Sequence, residues 1–279
     1  MSDWLLPLAL AFIMFSLGLG LQAIDFLRVV REPRAMAVGL LAQMLVLPAL
    51  AFLLLGVFGV SGELAVGVMI LAACPGGVSA GLLTRLAGGE TALSISLTAV
   101  SSVAILFSLP LVVGFAVAHF AGSQTELALP LGRTLGSVLL VTVLPVLLGM
   151  FFRHWRPLTV ARLEPGFTRG ATILFVVIVG LTFFQNHGLI MAQLPALGPL
   201  LFLLNGLVMG LGLLLGRLFA VSARGQVALA MECGLQNAAL GIFVALSLLQ
   251  QPALAAPSVV YAFLMNLTAL AWVLKRRCA

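Results

Sequence analysis

The feature that most limits what this chain can fold into is a series of long, nearly charge-free apolar runs. Divided at charged, Gly-rich and Pro-containing stretches, nine such runs recur: residues 5–22, 36–58, 64–87, 91–118, 131–152, 170–186, 193–216, 225–249 and 256–274. Their lengths match the roughly 20 residues a helix needs to cross a hydrocarbon core, not the ten-residue alternating segments of a barrel strand. Composition agrees, since 62% hydrophobic and 8% charged residues with a mean hydropathy of +1.24 fall outside globular usage. The expectation is an all-α polytopic membrane protein of nine transmembrane helices in a single transmembrane domain. "MSDW" puts Asp3 where a signal peptide carries basic residues, so the run at 5–22 is read as the first helix.

Basic residues set the orientation, because Lys and Arg in short loops stay on the cytoplasmic side. Arg28, Arg31 and Arg34 follow the first run, Arg85 closes the third, and Arg153, Arg156, Arg162 and Arg169 follow the fifth. Arg217 and Arg224 follow the seventh, and Lys275, Arg276 and Arg277 follow the ninth. Only Arg133 falls on the other side. This predicts an external N-terminus and a cytoplasmic C-terminus in an inner (plasma) membrane. Topology and anionic headgroups account for the net charge of +6, so no nucleic-acid partner is inferred, and no obligate protein partner either.

Cys74 and Cys233 lie within apolar runs and Cys278 in the tail, which argues against a disulfide scaffold, and no metal-binding spacing appears. His119, His154 and His187 read as solvated loop residues. Among acidic residues, Asp3, Asp25, Glu32, Glu63, Glu90, Glu126 and Glu164 sit in loops or at helix ends, and Glu232 alone falls inside an apolar run. A charge at mid-bilayer costs on the order of 2.5–3.5 kcal/mol on insertion scales unless it meets a polar cavity, a cation or a proton. Function is therefore expected at Glu232.

Two runs are interrupted, the third by "CPGGVSAG" (Cys74 to Gly81) and the eighth by "ECGLQNAALG" (Glu232 to Gly241). Pro75 removes a backbone donor, and Gly76, Gly77 and Gly234 tolerate non-helical backbone. Freed carbonyls at membrane depth need partners, and they are tolerated where they line a cavity and can meet cations. The two interrupted runs are five apart, an odd number, so their helices cross in opposite directions, as in inverted-topology repeats whose site lies near the midplane.

"CPGGVSAGLLTRLAGGETALSISLT" and "ECGLQNAALGIF", with "FSLGLGLQAIDF" and "LLAQMLVLPAL" before them, resemble the signature stretches of the bile acid:sodium symporter family, over nearly the whole chain. The resemblance implies two inverted repeats with two broken crossing helices, arranged as a core (about 36–118 and 193–274) and a panel (about 5–22 and 131–186). It further implies a sodium site made by the side chains of Gln43, Glu232 and Gln236 with carbonyls near Cys233 and Leu235. Hard oxygen ligands suit an alkali cation. A second family site is degenerate here: Ala80 and Gly81 stand where a Ser-Asn pair is expected, while Ser94 and Thr98 remain. Ser79 substitutes for the pair if the unwound segment shifts by one residue. Asn237, and less directly Asn266, are expected by resemblance to line the substrate crevice, and Arg85 to snorkel to the cytoplasmic interface.

The function so implied is sodium-coupled symport of an organic anion by alternating access, the family's range covering bile acids, sulfated steroids, pantoate-like acids and keto acids. The alternatives are a proton-coupled transporter using Glu232 and a non-transporting membrane sensor. No catalytic constellation shares a membrane depth, so an enzyme is not expected.

Overall fold

A computed structural model describes residues 4–77, 79–120 and 136–278, and Asp3, Glu126 and Arg133 lie outside the described residues. Helices coincide with the apolar runs: α1 (Leu5–Gly20), α2 (Ala23–Arg31), α3 (Pro33–Phe58), α4 (Gly62–Ala73), α5 (Ala80–Leu86) and α6 (Thr91–Phe120). They continue as α7 (Gly136–Trp155), α8 (Pro157–Gln185), α9 (His187–Leu218), α10 (Ala223–Gly234), α11 (Ala238–Leu248) and α12 (Ala256–Cys278). Among the described residues six helical spans are long and apolar enough to cross a membrane, or seven if the bent pair α1–α2 is one span. The apolar pieces α4 and α11 are shorter. Among the described residues there is no β-strand, and Phe107, Leu111, Phe184 and Leu267 stand exposed on an exterior as apolar as the interior. That is the pattern of a bundle whose solvent is lipid.

Two departures from the sequence reading have local causes. Residues 23–31 are helical, not loop: α2 turns 66° from α1, with the Asp25 carboxylate accepting from the Gln22 N–H at 2.7 Å at its start. Ile24, Leu27 and Val30 on α2 are exposed, as befits a helix lying in a membrane interface beside its basic Arg28 and Arg31. The sixth run also begins early. α8 starts at Pro157, whose fixed φ suits a first helical turn, and it runs through Pro165, so Glu164 and Arg169 lie on the helix rather than before it.

The packing falls into two groups. α1 lies against α7 and α8, and Arg153 fastens α7 to α1 by donating to the Leu19 carbonyl at 3.0 Å. α9 packs on α10 and α12, and α4 on α6. The breaks α4–α5 and α10–α11 meet where these groups face each other.

Candidate functional site

Each break follows from its residues. Cys74 precedes Pro75 and is extended (φ −69°, ψ 150°), because a proline disfavours helical backbone in the residue before it. After Gly234, Leu235 leaves the helix at φ −107°, ψ 92°. The interrupted ladders then satisfy one another. Gly77 N–H donates to the Leu235 carbonyl at 2.7 Å and Asn237 N–H to the Pro75 carbonyl at 2.8 Å, an isolated antiparallel bridge centred on Gly76 and Gln236. Two chains cross here without leaving those backbone groups orphaned in an apolar medium. Gly76 and Gly77 are required by this approach: a Cβ on Gly76 would overlap Glu232 Oε1, and one on Gly77 would sit 2.9 Å from the Gln236 carbonyl oxygen.

Glu232, 1% exposed, points from α10 into the crossing. Ser94 Oγ donates to its Oε2 at 2.6 Å and Thr98 Oγ1 to its Oε1 at 2.5 Å, both from one face of α6. Thr98 also lies 3.1 Å from the Ser94 carbonyl, but a hydroxyl carries one proton and the carboxylate is the nearer, stronger acceptor. Gln236 is buried beside it. Its Nε2 donates to the Cys233 carbonyl at 2.7 Å, and its Oε1 accepts no hydrogen bond among the described residues.

Gln43 is 2% exposed, lies in the π-helical turn Ala42–Val46, and leaves both amide atoms without a hydrogen-bond partner among the described residues. It faces a cavity of about 10 Å³ lined by Cys74, Pro75 and Ser101. Glu232, Gln236, Ser94, Thr98 and the carbonyls of Cys233 and Leu235 are thus gathered at the crossing, while Gln43 faces the α4 break from α3 and makes no hydrogen bond to Glu232. Ser79 is not drawn to the carboxylate: it lines a cavity of about 30 Å³ with Asn237, Ile13 and Thr172. Ala80 is fully buried without any polar group to offer.

Asn237 caps α11, accepting from Leu240 N–H at 3.1 Å, and its Nδ2 lies 3.8 Å from Met14 Sδ, so it faces α1. Asn266 instead turns back on its own helix, donating to the Ala262 carbonyl at 2.7 Å, and it lines neither cavity that meets the crossing. The larger of these is about 290 Å³, lies between α1 and α8 on one side and α5 and α6 on the other, and reaches Gly77 and Thr98. Arg85 and Glu164 also line it, and Arg85 is exposed at the end of α5.

A buried network missed by sequence reading supports the α10 break. Asn205 Nδ2 and Tyr261 OH donate to the Gly234 carbonyl at 2.8 and 3.0 Å, and Thr268 donates to Asn205 Oδ1 at 2.6 Å. Its signal was present, as Asn205 interrupts an apolar run and Tyr261 is the chain's one tyrosine.

The model of the Sodium Bile acid symporter family matches residues 7–193, more than half of the chain. An uncharacterized sodium-dependent transporter of Bacillus subtilis, YocS, is 31% identical over 93% of this chain and 78% of its own length. The ileal sodium/bile acid cotransporter of Homo sapiens is 30% identical over 83% of this chain and 66% of its own length. The probable sodium/metabolite cotransporter BASS2 of Oryza sativa is 28% identical over 94% and 61%. With this match over both the α4–α5 break and the helices around it, the chain belongs to the sodium bile acid symporter family.

Proposed function

We propose that this protein is a sodium-coupled symporter of a small organic anion, with Glu232 at the centre of its ion site. The observation that carries this is a concentration of buried oxygens lacking donors around one buried carboxylate. Gln236 Oε1 and Gln43 Oε1 accept no hydrogen bond among the described residues, and the unwound carbonyls of Cys233 and Leu235 keep a second lone pair each. Leaving a buried acceptor unsatisfied costs about 1–3 kcal/mol, and an alkali cation removes that cost while neutralising Glu232. Gln43 joins such a site by a rotamer change toward the crossing. Ser94 and Thr98 serve as hydroxyl partners of Glu232, and with Ala80 and Gly81 in place of a polar pair the coupling number is one ion.

The reading includes nine membrane crossings, reached by joining α4 to α5 and α10 to α11 across their breaks, with N-terminus outside and C-terminus in the cytoplasm of an inner membrane. A core of α3–α6 and α9–α12 moves against a panel of α1, α7 and α8. Inverted repeats are supported by a correspondence: an amide from the preceding long helix faces each break, Gln43 at α4 and Asn205 at α10. The cavity of about 290 Å³ between panel and core holds the cargo, and its lining by Thr98 couples cargo to ion, because both bind the same crossing. Asn237 lines the crevice on the opposite side of the crossing.

The test is a sodium titration of the thermal unfolding of purified protein, with potassium holding ionic strength fixed. A ligand present at about a hundred times its dissociation constant stabilises by roughly 2.7 kcal/mol. Sodium, not potassium, is expected to raise the midpoint of the wild type and to leave Glu232→Gln unmoved. Stabilisation by sodium unchanged in Glu232→Gln overturns the reading. A second reading, proton coupling, is favoured by one observation, the chain from Glu232 through Thr98 to the Ser94 carbonyl, which suits a protonated carboxyl equally well. It predicts stabilisation that follows pH and ignores sodium.

A further inference from the structure

We propose that Asn205, Tyr261 and Thr268 are positioning residues of the ion site: they hold the Gly234 carbonyl away from the crossing and so present the carbonyls on either side of it, those of Cys233 and Leu235, to the cation. The inference rests on the reading of the crossing as an ion site and adds to it three residues that never touch the ion.

Hydrogen bonds around the α10 break divide its carbonyls into two kinds. The Gly234 carbonyl accepts from Asn205 Nδ2 at 2.8 Å and from Tyr261 OH at 3.0 Å, so both of its lone pairs are taken and none is left for a cation. The Cys233 carbonyl accepts from Gln236 Nε2 and the Leu235 carbonyl from Gly77 N–H, so these two serve the crossing while Gly234 serves α9 and α12. The approach to α9 is close, since a Cβ on Gly234 would overlap Met209.

The network has a single proton pattern. Thr268 Oγ1 donates to Asn205 Oδ1 at 2.6 Å, which turns the two amide protons the other way, one to Gly234 and one to the Tyr261 oxygen at 3.0 Å. The Tyr261 proton is then left for the Gly234 carbonyl. Asn205 and Tyr261 are fully buried, and Tyr261 and Thr268 lie two turns apart on one face of α12. A reversed amide would set Oδ1 against the Gly234 carbonyl oxygen, with no water to relieve it, so the arrangement is locked.

The two amides that face the breaks thus differ in role. Gln43 makes no hydrogen bond among the described residues, whereas both polar atoms of the Asn205 amide are engaged. Gln43 is held for the ion and Asn205 for the backbone that meets the ion. Groups that orient a metal's ligands without touching it change metal affinity by roughly 10–100-fold when removed.

Sodium titrations at constant ionic strength, read by thermal unfolding of the full chain, test this. Asn205→Leu is expected to weaken sodium at least tenfold. Tyr261→Phe leaves Asn205 on the carbonyl and Thr268→Val frees the amide to turn, and each is expected to weaken sodium three- to fivefold. Thr268→Ser keeps the hydroxyl and is expected to stay within twofold of wild type. Val113→Ala, a truncation of a buried side chain on α6 about four turns beyond Thr98, should lower the unfolding temperature and leave the sodium midpoint within twofold. A merely structural network predicts the behaviour of Val113→Ala for all of them. Sodium midpoints of Tyr261→Phe and Thr268→Val within twofold of wild type therefore overturn the proposal, whether or not Asn205→Leu folds, as does a shift of the same size in Val113→Ala. A wild type without any response to sodium removes the ion reading and this proposal with it, whereas a responsive wild type whose variants keep its midpoint removes this proposal alone.

Discussion

At the scale of the residue, the site is a carboxylate held by two hydroxyls and allowed into its place by an absent side chain. Ser94 and Thr98 lie four apart on α6, one helical turn, so both hydroxyls reach Glu232 from a single face. A hydrogen bond to a charged group contributes about 1.5–3 kcal/mol. Thr98→Val is therefore expected to cost the protein about that much stability and to weaken sodium at least tenfold, measured as the sodium dependence of the unfolding midpoint. An unchanged sodium response would remove Thr98 from the site. Gly76→Ala tests the same carboxylate from the other side. Its Cβ must displace Glu232 Oε1, the neighbour it would overlap, so the variant is expected to lose the sodium-induced shift even where it still folds. Glu232 was legible in the sequence because an acid stands out in an apolar run. The position of Ser79 was not, since which way a residue beside a break faces depends on dihedrals that the partner segment sets.

At the scale of the element, the broken helices are supported by partners for freed backbone groups, some supplied by the opposite break and some by neighbouring helices. The breaks themselves were readable from Pro75 and the glycines, but the Asn205–Tyr261–Thr268 network was not: Asn205 and Tyr261 stand out singly, and hydrogen bonding between helices far apart in the chain leaves no spacing by which to pair them. Helix ends at apolar runs were likewise legible, whereas the early start of α8 was not: a charged segment at a membrane surface satisfies helix and loop composition alike. The network makes a graded prediction. Tyr261→Phe removes one of two donors to the Gly234 carbonyl and leaves Asn205 in place, for a cost of about 1 kcal/mol. Asn205→Leu removes the other donor together with the donor to the Tyr261 oxygen and the nearest acceptor of Thr268, whose hydroxyl is left to the Leu264 and Met265 carbonyls, so it is expected to cost about 1–3 kcal/mol. Unfolding in detergent at fixed sodium measures both, and equal costs would mean that the network does not support the break.

At the scale of the whole molecule, the motion proposed for α1, α7 and α8 against the remaining helices would have to be absorbed by the segments that join the two groups. α2 is one of them. It leaves α1 at 66°, leads directly into α3, and is tied to the other group by Arg28 Nη1 donating to Glu90 Oε1 at 2.8 Å. Glu90 is itself at a junction: its N–H donates to the Arg224 carbonyl at 2.9 Å, so it links the start of α6 to the start of α10, the two helices that carry Ser94, Thr98 and Glu232. The ion pair is partly exposed, with side chains at 23% and 28%, and such pairs contribute at most about 1 kcal/mol. That is too little to decide whether the protein folds but enough to shift a balance between two packed arrangements by roughly fivefold. Glu90→Gln is expected to change the rate of sodium-driven organic-anion uptake in proteoliposomes by about two- to fivefold while leaving the sodium midpoint within twofold of wild type, because the carboxylate and its hydroxyls are untouched. High salt screens an exposed pair, so the difference between variant and wild type should shrink as choline chloride is raised. A sodium midpoint that moves as far as the rate would place the effect of Glu90 at the ion site, and α2 would then be a surface helix without a part in the motion.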